Sequence, residues 1–259
     1  MQLSIHKYNV KRKIANSKYK NLEDLEKIHK KIVSQYKKNL LECLSIINEK
    51  DDLQEIKTLS SKLTKFKNII FIGTGGSSLG GKTLVGLKKG QYVEKYDTKI
   101  FFVENIDPLP IQELLENLDL RKTALVVISK SGETMETLSQ YFFISNYYKN
   151  KKIDISKRLL IITENKKSTL KDIQENMNSE YFEHSKNIGG RFSIFSVVGL
   201  LPASISGLNI SKIRRGGQEI LEKMIACNNV RQLDFAMTSL DNVNLIKKGY
   251  SQTVMMPYV

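Results

Sequence analysis

Four short apolar runs punctuate the chain: Asn68–Ile72 (NIIFI), Lys99–Val103 (KIFFV), Ala124–Ser129 (ALVVIS) and Leu159–Thr163 (LLIIT). Each is continuous rather than alternating and rich in β-branched or aromatic residues, which predicts strands buried on both faces. Helix-like stretches lie near Ile111–Leu118, Met135–Tyr147 and Ser168–Asn176. Strands alternating with helices predict an α/β fold, a doubly wound parallel sheet flanked by helices, with ligands at the C-terminal strand ends. Upstream, Leu22, Leu25, Ile28, Ile32, Tyr36, Leu40, Leu44 and Ile47 recur at three- or four-residue spacing. That spacing predicts one long helix, from a cap at Asn21 to about Ile47, with a single buried face. No internal repeat or low-complexity linker interrupts the pattern.

Composition narrows the class. At 259 residues the chain can bury one large α/β core, or one domain and part of another. No run is long enough to span a bilayer, and MQLSIHKYNVKRK lacks the apolar core of a signal peptide, so a cytoplasmic protein with no membrane partner is expected. Cys43 and Cys227 lie far apart and suggest neither a disulfide framework nor a metal site. His29 flanks the apolar stripe and reads as a packed or solvated side chain rather than a ligand. The net charge of +14 raises nucleic acid as a partner. However, the lysines are spread along the chain among Glu and Asp, and no helix-turn-helix, zinc-finger or RNA-binding motif is present. The expectation is no nucleic-acid partner and a solvated basic surface that attracts an anionic substrate.

The candidate chemistry centres on LVVISKSGETMET, Leu125–Thr137. A buried strand ends at Ser129, and Lys130, Ser131, Gly132, Glu133 and Thr134 lead into a helix. Ser129, Ser131 and Thr134 set three hydroxyls around a helix start, where unpaired N–H groups and the dipole favour an anion such as a phosphate monoester. The competing reading is that Ser131 or Thr134 only caps the helix, with Gly132 supplying the turn.

The first apolar run leads into GTGGSSLGGKTL, Gly73–Leu84. A dinucleotide fingerprint fails because Ser78 occupies the third glycine position. Gly76, Gly81, Lys82 and Thr83 match the nucleotide P-loop pattern, but the loop is overloaded with glycine and Lys82 falls inside the following helix. The acids available for Mg²⁺, Glu104 and Glu164, are ambiguous. The third reading is a glycine turn that brings backbone close to a small phosphorylated ligand, with Ser77 as a polar contact. Further on, NIGGRFSIFSVVG places Arg191 after two glycines, with Ser193 as a candidate cap for the apolar helix that follows. An arginine there serves a phosphate, a carboxylate or a developing oxyanion, or it ties a helix end to a neighbouring loop.

GTGGSSLGG, VISKSGETMET and NIGGRFSIFSVVGLLP, in this order and spacing, with ENIDP at Glu104–Pro108, resemble the glucose-6-phosphate isomerase (phosphoglucose isomerase) family. The resemblance runs from about Phe66 to the end of the chain, and its most specific part is the GGRFS block. It implies two sugar-isomerase (SIS) domains assembled as a homodimer. It also implies interconversion of glucose 6-phosphate and fructose 6-phosphate through a cis-enediolate, without metal or organic cofactor. Carried over by motif, Ser129, Lys130, Ser131 and Thr134 belong to the phosphate loop, in the family's Lys-Ser-Gly-x-Thr form. Gly76 and Ser77 belong to the sugar-contacting turn, which makes the Walker pattern a coincidence, and Arg191 stabilises the enediolate.

The resemblance divides the chain into an N-terminal helical region (1–50), a first SIS domain (51–210) and the incomplete start of a second (211–259). The family's proton-transferring glutamate, in a G-D-x-E-S-x-G-K-like motif, has no counterpart here. Its ring-opening histidine and late lysine lie further downstream than TVMMPYV, which resembles the family's A-M-x-P-Y strand. The expectation is a C-terminally truncated isomerase, inactive by itself. The alternative is a stand-alone SIS-type sugar-phosphate sensor, with a P-loop nucleotidase a more distant third.

Overall fold

The computed structural model describes residues 22–88 and 98–252. The expected cap at Asn21 and the expected strand within TVMMPYV lie outside the described residues. Of the described residues, 35–88 with 98–223 form one compact unit, and 22–34 with 224–252 form another.

The larger unit is built on five parallel strands: β1 (Asn68–Ile72), β2 (Lys99–Val103), β3 (Thr123–Ile128), β4 (Leu159–Thr163) and β5 (Glu180–Glu183). Their order across the sheet is β2-β1-β3-β4-β5. The four apolar runs are therefore the strands expected of them. β5 (EYFE) escapes an apolar-run reading because it is an edge strand with exposed, charged ends. Charge is a common way to blunt an open sheet edge, and Glu180 meets Lys62 at 2.7 Å.

Successive residues of each central strand feed opposite cores, which explains why the runs are apolar throughout. Ile69, Phe71, Val126, Ile128, Leu160 and Ile162 face a layer formed by α3 (Asp51–Leu63), α4 (Leu79–Lys88) and α8 (Val197–Ile205). Ile70, Ile72, Leu125, Val127, Leu159 and Ile161 face α5 (Pro108–Glu116), α6 (Met135–Asn150) and α7 (Thr169–Met177). On the first side α4 and α8 pack unusually closely. A Cβ at Gly81 would lie 2.5 Å from Pro202 Cγ, so part of the glycine excess after β1 serves helix packing rather than a ligand.

The long N-terminal helix is corrected to two pieces. α1 (Leu22–Lys37) ends at Asn39, whose φ of 54° is left-handed, and α2 (Glu42–Ser45) starts afresh. Leu40 N–H donates to the Gln35 carbonyl at 3.0 Å, the closing bond of a Schellman end, and asparagine tolerates that conformation. Within α1 the apolar stripe is not a buried face: no residue of α1 is buried, and Ile28 is more than half exposed, as is Leu40 beyond it, while Ile47 at the end of the stripe is buried.

In the smaller unit, His29 Nε2 donates to the Met224 carbonyl at 2.8 Å, and α10 (Asp234–Lys247) buries Ala236, Met237 and Leu240. In the larger unit, α9 (Ile210–Ala226) carries Arg214, a buried arginine. No helix among the described residues is long and apolar enough to cross a membrane.

Candidate functional site

The strand order decides where the site is. β1 has β2 on one side and β3 on the other, so the chain leaves β1 and β3 in opposite directions across the sheet. Such a switch point opens a crevice at the C-terminal strand ends. The residues after β1 and β3 are the glycine turn and the hydroxyl loop, and the topology brings them side by side.

The hydroxyl loop is folded on itself. Ser129 is buried, and its Oγ lies 2.8 Å from Thr134 Oγ1 and 3.4 Å from Ser131 Oγ, with Ser131 and Thr134 also 3.4 Å apart. Gly132 N–H donates to Ser129 Oγ at 3.2 Å, and Glu133 N–H donates to Ser131 Oγ at 3.1 Å. Thr134 occupies the cap position of α6, yet its side chain makes no capping bond. The capping reading therefore fails for this loop, and the first turn of α6 keeps N–H groups that no cap side chain satisfies.

A second loop closes over the glycine turn. Gly75–Ser77 forms one turn of 3-10 helix and Gly190–Phe192 another. Their backbones approach so closely that a Cβ at Gly76 would lie 2.3 Å from the carbonyl carbon of Gly190. Ser193 Oγ bridges the two, donating within reach of Gly190 O (2.7 Å) and Gly76 O (3.1 Å). The expected cap role of Ser193 is thus corrected. Ser196 is the cap of α8 and accepts from Val198 N–H, while Ser193 clasps the loops together. Arg191 is exposed and forms no hydrogen bond or ion pair among the described residues. A tie from its guanidinium to a helix end or loop is not seen.

Between these segments lies a cleft of about 360 Å³. Of the residues singled out in the sequence, Gly76, Ser77, Lys130, Ser131 and Thr134 line it. Ser129 sits behind the lining and orients the other two hydroxyls. Arg191 is not a lining residue, although its neighbour Gly190 is. Thr74, Glu164 and Lys166 complete the wall. In the sequence, Glu164 stands out only as an ambiguous metal acid, and Lys166 only as one of many lysines. Their signal is position, since both follow the C-terminal end of β4, the strand beside β3.

The charges are organised around Glu164. It lies 2.7 Å from Lys166 Nζ and 3.6 Å from Lys130 Nζ. Lys130 Nζ also donates to the Lys186 carbonyl at 2.6 Å. Burial alone would raise the Glu164 carboxyl, but the bond and charge of Lys166, with Lys130 and His184 nearby, outweigh it and hold Glu164 below the usual carboxylate range. His184, buried next to the end of β5, is pushed below the ordinary imidazole range by burial first, and then by the charge of Lys130, against its bond to the Ser185 carbonyl and the charge of Glu164. The result is one carboxylate aligning two ammonium groups beside hydroxyls and an uncapped helix start. That arrangement suits a multiply charged anion.

The Walker reading is decided here as well. Lys82 lies within α4, and its ammonium pairs with Glu104, which also accepts from Ser78 Oγ at 2.6 Å. Burial raises the Glu104 carboxyl, but these two partners bring it below its usual range. A lysine so committed is not extended along the loop toward a nucleotide's phosphates.

Sheet order, helical layers and a cleft at the switch point define an α/β domain of the SIS type. A sequence model of the family described as phosphoglucose isomerase matches residues 30–259. The chain belongs to the phosphoglucose isomerase family. It is 35% identical over 217 residues to a probable glucose-6-phosphate isomerase of Methanococcus maripaludis, covering 83% of this chain and 48% of that protein. Among solved structures, it is similar to a glucose-6-phosphate isomerase from Chlamydia trachomatis (TM-score 0.64, 28% identity, 74% of this chain and 37% of that one). A hypothetical protein from Thermus thermophilus shares the fold (TM-score 0.70, 24% identity, 86% of this chain and 55% of that one). The chain spans about half the length of the curated relatives it matches.

Proposed function

We propose that this chain binds hexose 6-phosphates and belongs to the interconversion of glucose 6-phosphate and fructose 6-phosphate through a cis-enediolate. The observation that carries this reading is the meeting of the hydroxyl loop and the glycine turn at the switch point, in a chain of this family. Ser131, Thr134 and the first-turn N–H groups of α6 hold the phosphate, with Lys130 and Lys166 supplying charge. Ser129 orients the hydroxyls. The Gly76–Ser77 turn touches the sugar, and Arg191 faces the C1–C2 end, where negative charge develops as the proton leaves C2.

Calorimetry is expected to show that glucose 6-phosphate binds while ATP with Mg²⁺ does not. Thr134→Val should weaken the sugar phosphate about ten- to a hundredfold, because hydrogen bonds to a charged group are worth about 1.5–3 kcal/mol. ATP binding that is abolished by Lys82→Ala would overturn the assignment at this loop.

Turnover by the 259-residue chain is expected to be negligible. Among the described lining residues the one carboxylate is Glu164, and it is held ionised by two lysines. An efficient general base has a pKa near the working pH, and such catalysis is worth about 10²–10⁴-fold. The paired state of Glu164 also supports the second reading, a domain that binds sugar phosphate without converting it. An ordinary rate in a coupled isomerase assay on the purified chain would show that a base acts in this cleft after all.

A further inference from the structure

Glu133 is out of place by charge. It stands between Ser131 and Thr134, both of which line the cleft. A free carboxylate there repels the anion that the hydroxyls are arranged to hold. The structure shows where the charge goes. Glu133 Oε1 accepts the Thr169 N–H at 2.6 Å, and Oε2 accepts the Thr169 hydroxyl at 2.9 Å. Thr169 is the first residue of α7, so the carboxylate rests on the positive end of that helix.

The loop backbone follows the same direction. Leu170 N–H donates to the Gly132 carbonyl at 3.2 Å. Gly132 holds φ +72°, and a Cβ there would lie 2.2 Å from Ser168 Oγ. Only glycine fits both the turn and the neighbouring helix end. Loop 131–134 is thus shaped from α7, across the chain, as much as from α6, which it begins.

We infer that Glu133 and Thr169 form a charge-parking clamp: the start of α7 draws the loop's carboxylate away from the cleft and fixes the curvature that converges Ser131 and Thr134. Glu133 is then a positioning residue that touches no ligand. The inference rests on reading the cleft as a phosphate site. It differs from a purely structural stitch between loop and helix in its electrostatics. If the clamp is released, the carboxylate swings back and opposes the ligand, and removing that carboxylate restores binding.

Thr169→Pro removes both donors at once. Proline is well tolerated at the first helical position, and Ser168 before it is already extended (φ −167°, ψ 160°), as a residue preceding proline should be. The experiment is calorimetry of glucose 6-phosphate on the full chain, at low salt and in 1 M salt, with melting temperatures on the same samples. Thr169→Pro should melt near the wild type and bind roughly three- to tenfold more weakly at low salt, because a carboxylate then sits within Coulombic reach of a dianion. In 1 M salt, where the Debye length is about 3 Å, that difference should shrink.

Adding Glu133→Gln to Thr169→Pro should recover most of the affinity. Wild-type protein that binds no glucose 6-phosphate would sink the phosphate reading itself. Wild-type protein that binds, beside a folded Thr169→Pro that binds equally well or is not rescued by Glu133→Gln, would sink the clamp alone. Should the proline variant fail to fold, Thr169→Val decides: a smaller loss with the same salt sensitivity supports the clamp, and unchanged affinity overturns it.

Discussion

Arg191→Ala is expected to weaken binding of an enediolate mimic by about 10²–10³-fold, the usual cost of losing one donor aimed at a developing oxyanion. Glucose 6-phosphate should lose no more than about a few-fold, because its C1–C2 end is uncharged. A suitable mimic is the hydroxamate of a five-carbon sugar acid with a terminal phosphate, planar and anionic where the enediolate carries its charge. The asymmetry follows from the role proposed for Arg191. Arg191 is exposed and has no partner among the described residues, so its guanidinium is available for charge that arises during reaction. If, as proposed, the Ser131–Thr134 loop holds the phosphate, whose charge is the same in both ligands, Thr134→Val should weaken both alike. Equal losses of both ligands in Arg191→Ala would reassign it to the phosphate. A folded variant with wild-type affinity for both would remove it from the site.

Asp52→Ala is expected to cost about 3 kcal/mol of stability, a drop of about 6–12 °C in melting temperature for a unit of this size. Arg214 is 2% exposed, and every part of its guanidinium is engaged. Nε and Nη2 donate to the Phe195 carbonyl at 3.1 and 2.8 Å, and Nη1 donates to the Glu49 carbonyl at 2.7 Å. Both terminal nitrogens meet the Asp52 carboxylate, Nη1 at 2.6 Å. Removing Asp52 strands a buried cation on carbonyls alone. The figure is kept to the low end because the Asp52 side chain is a quarter exposed and water screens part of the pair. The Phe195 carbonyl lies four residues beyond Arg191, so the same loss loosens the segment that carries it. Thermal unfolding checks the claim, and a change below about 1 kcal/mol would mean that solvent already replaces the pair.

The boundaries of β1, β2 and β4 are legible to the residue because each is a run of adjacent apolar side chains; β1 and β4 are buried along their whole length, while β2, at the sheet edge, exposes Lys99 and only half-buries Ile100, Phe101 and Phe102. The helix break at Asn39 is not legible in the same way. An apolar stripe at helical spacing continues across it, and only the left-handed backbone of one asparagine divides α1 from α2. β5 is missed for the opposite reason, since an edge strand with charged ends has no apolar run to read.

The site divides along the same line. Three hydroxyls after a buried strand, a glycine turn after another and an arginine between glycines are local patterns, and they identify the family and most of the cleft's lining. Tertiary structure alone decides what those residues do to one another. The order β2-β1-β3-β4-β5 makes neighbours of the Gly76 turn and the Ser131 loop, and it adds Glu164 and Lys166 from β4. Contacts across the chain commit Lys82 to Glu104, join Ser193 to Gly76 and turn Glu133 toward Thr169. Hydrophobic pattern and turn chemistry act over a few residues, so the sequence by itself determines strands, helices and loop chemistry. Which strand ends meet, and which charges are paired or free, depends on how the two cores close around the sheet.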